Sequence, residues 1–190
     1  MTRVHRHATG VPDDTPRVRC ALVLSDPELA ASQPAEDLAA SALNALGHAV
    51  ESPCTAGANP VATMAAHEAA RLLVGAFGAA GGPDREALAL GALLAGYALD
   101  STGYGLHHVM AQTLVRRSLA GHGQANAVLL PHTIAALARR CPEEHAALTA
   151  ALREEPAVAA GRVLALSGAR MTASDAEIEE CVEELSLIHI

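Results

Sequence analysis

Beyond Asp26 and Pro27 the apolar positions recur at three- and four-residue spacing, the pattern of helices that turn one face to a core. Between Asp37 and Glu51, Leu38, Ala42, Ala45, Leu46 and Ala49 fall near one face, and Pro53 closes the predicted helix. Asn59 followed by Pro60 supplies a cap with proline in the first turn, which starts a second helix from Val61 to about Phe77. A glycine-rich break at Gly78 to Gly82 reads as an interhelical loop, since it follows a helix and not a strand; the third helix then runs from Asp84 to Leu99. Two more are expected, Gly105 to Leu119 and Gln124 to Arg139, joined by a turn at Gly121, His122 and Gly123. From Pro142 to Glu184 three short helical stretches follow, broken at Pro156 and at Gly168 to Met171 and restarted by a Ser174 cap with Glu177 three residues on.

The first part of the chain is patterned differently. Residues through Arg19 have loop composition, and Cys20 to Leu24 form a short apolar run that reads as one buried strand. A lone strand would leave buried backbone groups unpaired, so its sheet is expected in sequence that is not present here. The expected organisation is a loop and strand remnant over residues 1–34 and a helical domain over 35–184. Residues 185–190, Leu185 to Ile190, are expected to be a non-native tail: they resemble the read-through of a sequencing adapter and follow an acidic stretch without any packing pattern. The fold class is mainly α and bundle-like.

Composition narrows the class of function. At 190 residues and 51% hydrophobic, the chain can bury one sizeable core, but with 2% aromatics that core must be filled by Ala, Leu, Val and Ile. All 13 basic residues are Arg, and a formal net charge of -8 with only two Arg doublets argues against a nucleic-acid surface. The four cysteines are scattered without a C-x-x-C pair, which suits a reducing cytoplasm and excludes a zinc knuckle or a small disulfide scaffold. No run of ~18 apolar residues is present, so no membrane partner is expected.

The candidate chemistry lies among the ten histidines. Asn44 and His48 are four apart on a predicted helix and share a face; His108 and Gln112 repeat that spacing on a later one. His122 stands between two glycines at a helix start, where backbone can approach a ligand closely. Imidazoles from separate helices converging on one point is how bundle-core metal sites are built, and imidazole suits iron or zinc. Spacing alone leaves a second reading open, in which these are satisfied core or cleft histidines. His107 reads as a solvent or interface residue facing away from His108, His132 as structural at a Leu-Pro-His turn, and His5, His67 and His145 as surface residues.

The words around those histidines carry a resemblance. Ser25-Asp-Pro-Glu-Leu29 with Pro34, then Ser41-Ala-Leu-Asn-Ala-Leu-Gly-His-Ala-Val-Glu51, then Asn59-Pro60 resemble the interdomain crossing and first helix of the iron-containing alcohol dehydrogenase family, whose fold is of the dehydroquinate synthase-like type. Gly103-Tyr-Gly-Leu-His-His108 and Gly121-His-Gly-Gln-Ala-Asn-Ala-Val-Leu-Leu-Pro-His132 resemble its two later histidine motifs, in the same order. The resemblance implies a divalent iron or zinc on Asn44, His48, His108 and His122, with Asn44 in the place of an aspartate. His48, His108 and His107 are the candidate catalytic residues, with Tyr104 as an alternative to His107, because Gln112 stands where many members carry a titratable histidine.

The Ser-Ala-Leu-Asn word and the doubled Leu-His-His resemble the maleylacetate reductase branch. That branch implies NADH- or NADPH-dependent reduction of maleylacetate to 3-oxoadipate in aromatic degradation, a small-molecule substrate, and a homodimer at full length. The neutral Asn44 amide implies weaker metal binding than a carboxylate would give. A metal-dependent alcohol dehydrogenase is the alternative enzyme, and a non-catalytic helical metal-binding or scaffold module the alternative of another class. The family's Gly-Gly-Gly-Ser phosphate turn has no counterpart before Cys20, so the chain is expected to be a fragment that does not turn over alone.

Overall fold

The structure, a computed structural model, describes residues 22–78, 81–117 and 121–170. They form seven α-helices: α1 Ala35–Glu51, α2 Pro60–Gly75, α3 Arg85–Thr102, α4 Leu106–Arg117, α5 His122–Arg140, α6 Pro142–Leu152 and α7 Pro156–Ser167. Short 3-10 turns at Leu29–Ser32 and Ser52–Cys54 flank α1. No strand occurs among the described residues.

The centre of the bundle is α1. Its buried positions, Leu38, Ala39, Ala42, Leu43, Ala45, Leu46, Ala49 and Val50, cover far more than a single stripe, so the helix is packed on several sides: against α2, α3, α4, α5 and α7. The small alanines let those neighbours approach closely, which is how a core nearly without aromatics reaches close packing. α2 and α3 form the most extensive helix pair. The caps act where the sequence places them: the Asn59 side chain accepts from the Ala62 N–H at 3.0 Å, and Asp84 from the Ala87 N–H at 3.0 Å.

Several expectations are corrected. The described part of the expected strand, Leu22 to Leu24, takes no regular structure and is exposed, with Leu22 at 73% and Leu24 at 86%. An apolar run becomes a buried strand only when other strands take its backbone bonds, and the described residues supply none. Gly121 to Gly123 do not form a separate turn; as the placing of His122 at a helix start implies, Gly121 is the N-cap of α5, and His122 and Gly123 lie in its first turn. His132 is not at a turn either, because Pro131 is accommodated inside α5. His67, expected at the surface, is half-buried on α2 with its Nε2 in the interior and no hydrogen-bond partner, and burial lowers its pKa. The third tail helix, with Ser174 and Glu177, and the tail 185–190 lie outside the described residues.

Candidate metal centre

Three turns of chain meet beside the C-terminal half of α1. Asn44 and His48 stand on α1 one helical turn apart, and Glu51 ends that helix on the same side, three residues after His48. Across from them, the Gly103 to Gly105 link delivers the start of α4, with His107 and His108 in its first turn. The approach is so close that a Cβ at Gly105 would lie 3.0 Å from Glu51 Oε2, and one at Gly47 would lie 2.4 Å from His107 Cδ2. Glycine at these two places is what lets α1 and the α4 start touch.

The His48 and His108 rings stack with centroids 3.6 Å apart and planes within 8°. His108 Nε2 is 3.3 Å from Asn44 Oδ1, while on the other side of the ring Nδ1 is 2.7 Å from Glu51 Oε1. Glu51 Oε2 also accepts the His108 backbone N–H at 3.2 Å, so the carboxylate grips both the ring and the backbone of one residue. Glu51 and His108 are enclosed, whereas His48 and Asn44 are partly exposed. Tyr104 lines the open side, its ring centroid 6.3 Å from that of His48 and 5.6 Å from that of His108.

Burial sets the electrostatics. It lowers the His108 pKa to about 3, with the charge of His122 as the second cause, and lowers that of His107 to about 3, with His108 as the second cause. Burial also pushes Glu51 above the usual carboxylate range, against the pull of His107, His48 and two backbone N–H groups from Gly105 and His108.

His107 is corrected from a solvent or interface position to a fully buried one. Residues one apart on a helix point about 100° apart, and here both directions are interior, because α5 covers the far side of α4. The ring of His107 meets that of His108 edge-on, centroids 4.9 Å apart at 85°. Its Nδ1 lies 3.0 Å from Thr133 Oγ1, whose own hydroxyl donates to the Leu129 and Leu130 carbonyls at 3.2 and 3.0 Å. His107 Nδ1 thus pairs with the Thr133 hydroxyl, while Nε2 lies against Gly47, with the Asn126 side chain as the ring's other polar neighbour. Replacing Thr133 by valine keeps the shape and leaves the buried Nδ1 of His107 without its partner, so thermal or urea unfolding of T133V is expected to show a loss of about 1–3 kcal/mol.

Of the residues expected from sequence, the structure brings Asn44, His48 and His108 together, with His107 behind them. His122, the first residue of α5, is exposed; its charge reaches His108, but its ring lies outside the compact group of His48, Glu51 and His108, whose ligand atoms all fall within 4.8 Å of one another. Glu51 was missed as a site residue; its place seven positions after Asn44, two helical turns along the same face, is the signal that points to it. The set fits a divalent cation. With Glu51 occupying the Nδ1 side, the Nε2 atom of His108 and the oxygen of Asn44 present converging donors 3.3 Å apart, of the nitrogen and oxygen types that iron and zinc accept.

Residues 38–185 match the model of the Fe-containing alcohol dehydrogenase family, C-terminal. A maleylacetate reductase of Rhizobium sp. (strain MTP-10005) is 35% identical over 140 residues, covering 71% of this chain and 40% of that protein. A 1,3-propanediol dehydrogenase of Klebsiella pneumoniae is 41% identical over 114 residues, covering 57% of this chain and 30% of the relative. The chain thus spans less than half the length of these curated relatives. The crystal structure of the Rhizobium maleylacetate reductase superposes with a TM-score of 0.72 at 32% identity, over 87% of this chain and 50% of that one. With its helices, its histidine words and its family match in agreement, the chain belongs to the Fe-containing alcohol dehydrogenase family, of which residues 38–185 match the C-terminal part.

Proposed function

We propose that residues 35–184 are the metal- and substrate-binding helical domain of an NAD(P)H-dependent reductase that converts maleylacetate to 3-oxoadipate, with residues 1–34 leading in from a nucleotide-binding domain. The observation that carries the reading is Asn44: a neutral amide oxygen stands 3.3 Å from His108 Nε2. Maleylacetate is a dicarboxylate, and a carboxylate at position 44 would face it with like charge, whereas an amide does not. The similarity to maleylacetate reductases supports the same reading.

When bound, iron or zinc on Asn44, His48 and His108, with His122 at the edge, would polarise a substrate oxygen, and the nicotinamide would supply the hydride. The chain's own part is to place the substrate and keep water out. The enclosed wall formed by Glu51, His107 and His108 closes one side of the site. Tyr104, on the open side, borders the substrate. His107 sits behind His108 and acts through it.

A second reading is metal-dependent alcohol oxidation, favoured by the 41% identity to the Klebsiella 1,3-propanediol dehydrogenase. The two separate in one assay, on the protein carrying a nucleotide-binding domain together with this one. NAD(P)H oxidation that depends on maleylacetate is the expected result. Turnover of 1,3-propanediol with NAD⁺ and none of maleylacetate would replace the first reading by the second.

A further inference from the structure

We infer that Glu51 is a positioning residue whose carboxylate, held behind His108, provides the negative charge that Asn44 does not. The inference rests on the metal reading of the site given above. Its starting point is the composition of the converging donors: Asn44, His48 and His108 are all uncharged ligands, and a divalent cation among them would have no anionic partner in direct contact. The compact group contains one acidic side chain, Glu51. It is fully enclosed, and a buried carboxylate without a compensating charge is costly, so its retention in the core calls for a partner.

The geometry says how it acts. Both oxygens of Glu51 are engaged by His108, Oε1 with the ring Nδ1 at 2.7 Å and Oε2 with the backbone N–H at 3.2 Å. The side chain is therefore spent on orienting a ligand and not on being one. A histidine gripped at Nδ1 presents Nε2 in a fixed direction, here toward Asn44, and an anion on the far nitrogen raises the basicity of the near one. Charge is thereby moved from the face of the site that meets the substrate to its buried back. A dicarboxylate would then approach an amide and imidazoles, with the balancing anion one ring further away.

The test is a four-variant cycle on the full chain, wild type, E51Q, N44D and E51Q/N44D, with cobalt(II) alone as the probe. Binding is followed by cobalt absorption and by calorimetry, and helix content and melting temperature are recorded for each. Glutamine keeps the size of Glu51 and removes its charge, but it has one acceptor where the carboxylate has two, so one of the two bonds from His108 is lost or reversed with the charge. E51Q is expected to bind cobalt about 10- to 100-fold more weakly. N44D is expected to return most of that loss in the E51Q background and to gain less in the wild type, because the wild type already has one anion. A purely structural role for Glu51 would shift melting temperatures without making the two substitutions compensate. Unchanged cobalt affinity in E51Q, or an equal gain from N44D in both backgrounds, overturns the inference. Absence of cobalt binding in all four folded variants overturns the metal reading itself, and the inference with it.

Discussion

Replacing Gly47 by alanine is expected to destabilise the domain by about 1–3 kcal/mol, although glycine to alanine inside a helix ordinarily gains about 1 kcal/mol. Two effects of opposite sign meet at this position, and the distances decide between them. A Cβ at Gly47 would sit 2.4 Å from His107 Cδ2, 2.6 Å from its Nε2 and 3.3 Å from His108 Cε1. His107 cannot swing away freely, since Thr133 holds its Nδ1 at 3.0 Å and the ring is wholly buried. The strain must pass into the α1–α4 contact and displace His108 from Asn44 and Glu51. Urea unfolding of G47A should show the loss, and cobalt affinity should fall with it. A variant as stable as the parent, or more so, would mean that helix propensity wins and that the close approach of the two helices is not required.

Acid should unfold this domain early. His107 and His108 are neutral in the fold, with pKa values brought down to about 3 from an ordinary 6.5, so the unfolded chain binds protons that the folded one refuses. Their contribution to stability is complete above pH 6.5 and is lost as the pH falls toward 3, at about 1.4 kcal/mol per pH unit for each ring. By pH 5 that amounts to about 2 kcal/mol per histidine. Glu51 acts in the opposite sense: its pKa is raised in the fold, so its contribution is present on the acid side and lost as pH rises, which offsets part of the effect. Urea midpoints measured from pH 7 to pH 5 should fall steeply, and H107Q, which removes one of the two titrating rings, should roughly halve the slope. A midpoint that does not move over this range would show that the rings are reached by protons without unfolding.

The helices themselves were legible in the chain because they depend on local rules. A spacing of three and four apolar residues, an asparagine before a proline, and an aspartate three residues before an amide that needs an acceptor each act within one or two turns, and α1, α2 and α3 follow them closely. The pairing of Asn44 with His48 has the same origin, since a four-residue step on a helix fixes a shared face whatever surrounds it. The three histidine words were legible for another reason, their resemblance to the motifs of a known family.

What the chain alone left open was everything that depends on which faces meet. His107 and His108 are adjacent in sequence, and only the arrival of α5 over α4 makes both interior. Glu51 ends α1 as one more acidic residue until α4 lays the backbone and ring of His108 against it, 57 positions later. The run through Leu24 illustrates the reverse case, for its apolar character could be read but its burial required partner strands that the described residues do not contain. Local sequence thus determined the helices and their candidate ligands, because backbone bonds and side-chain spacing close within a few residues. The depth of the site, the charge behind it and the glycine that admits it were decided by packing, because burial is a property of two surfaces and a sequence segment specifies only one of them.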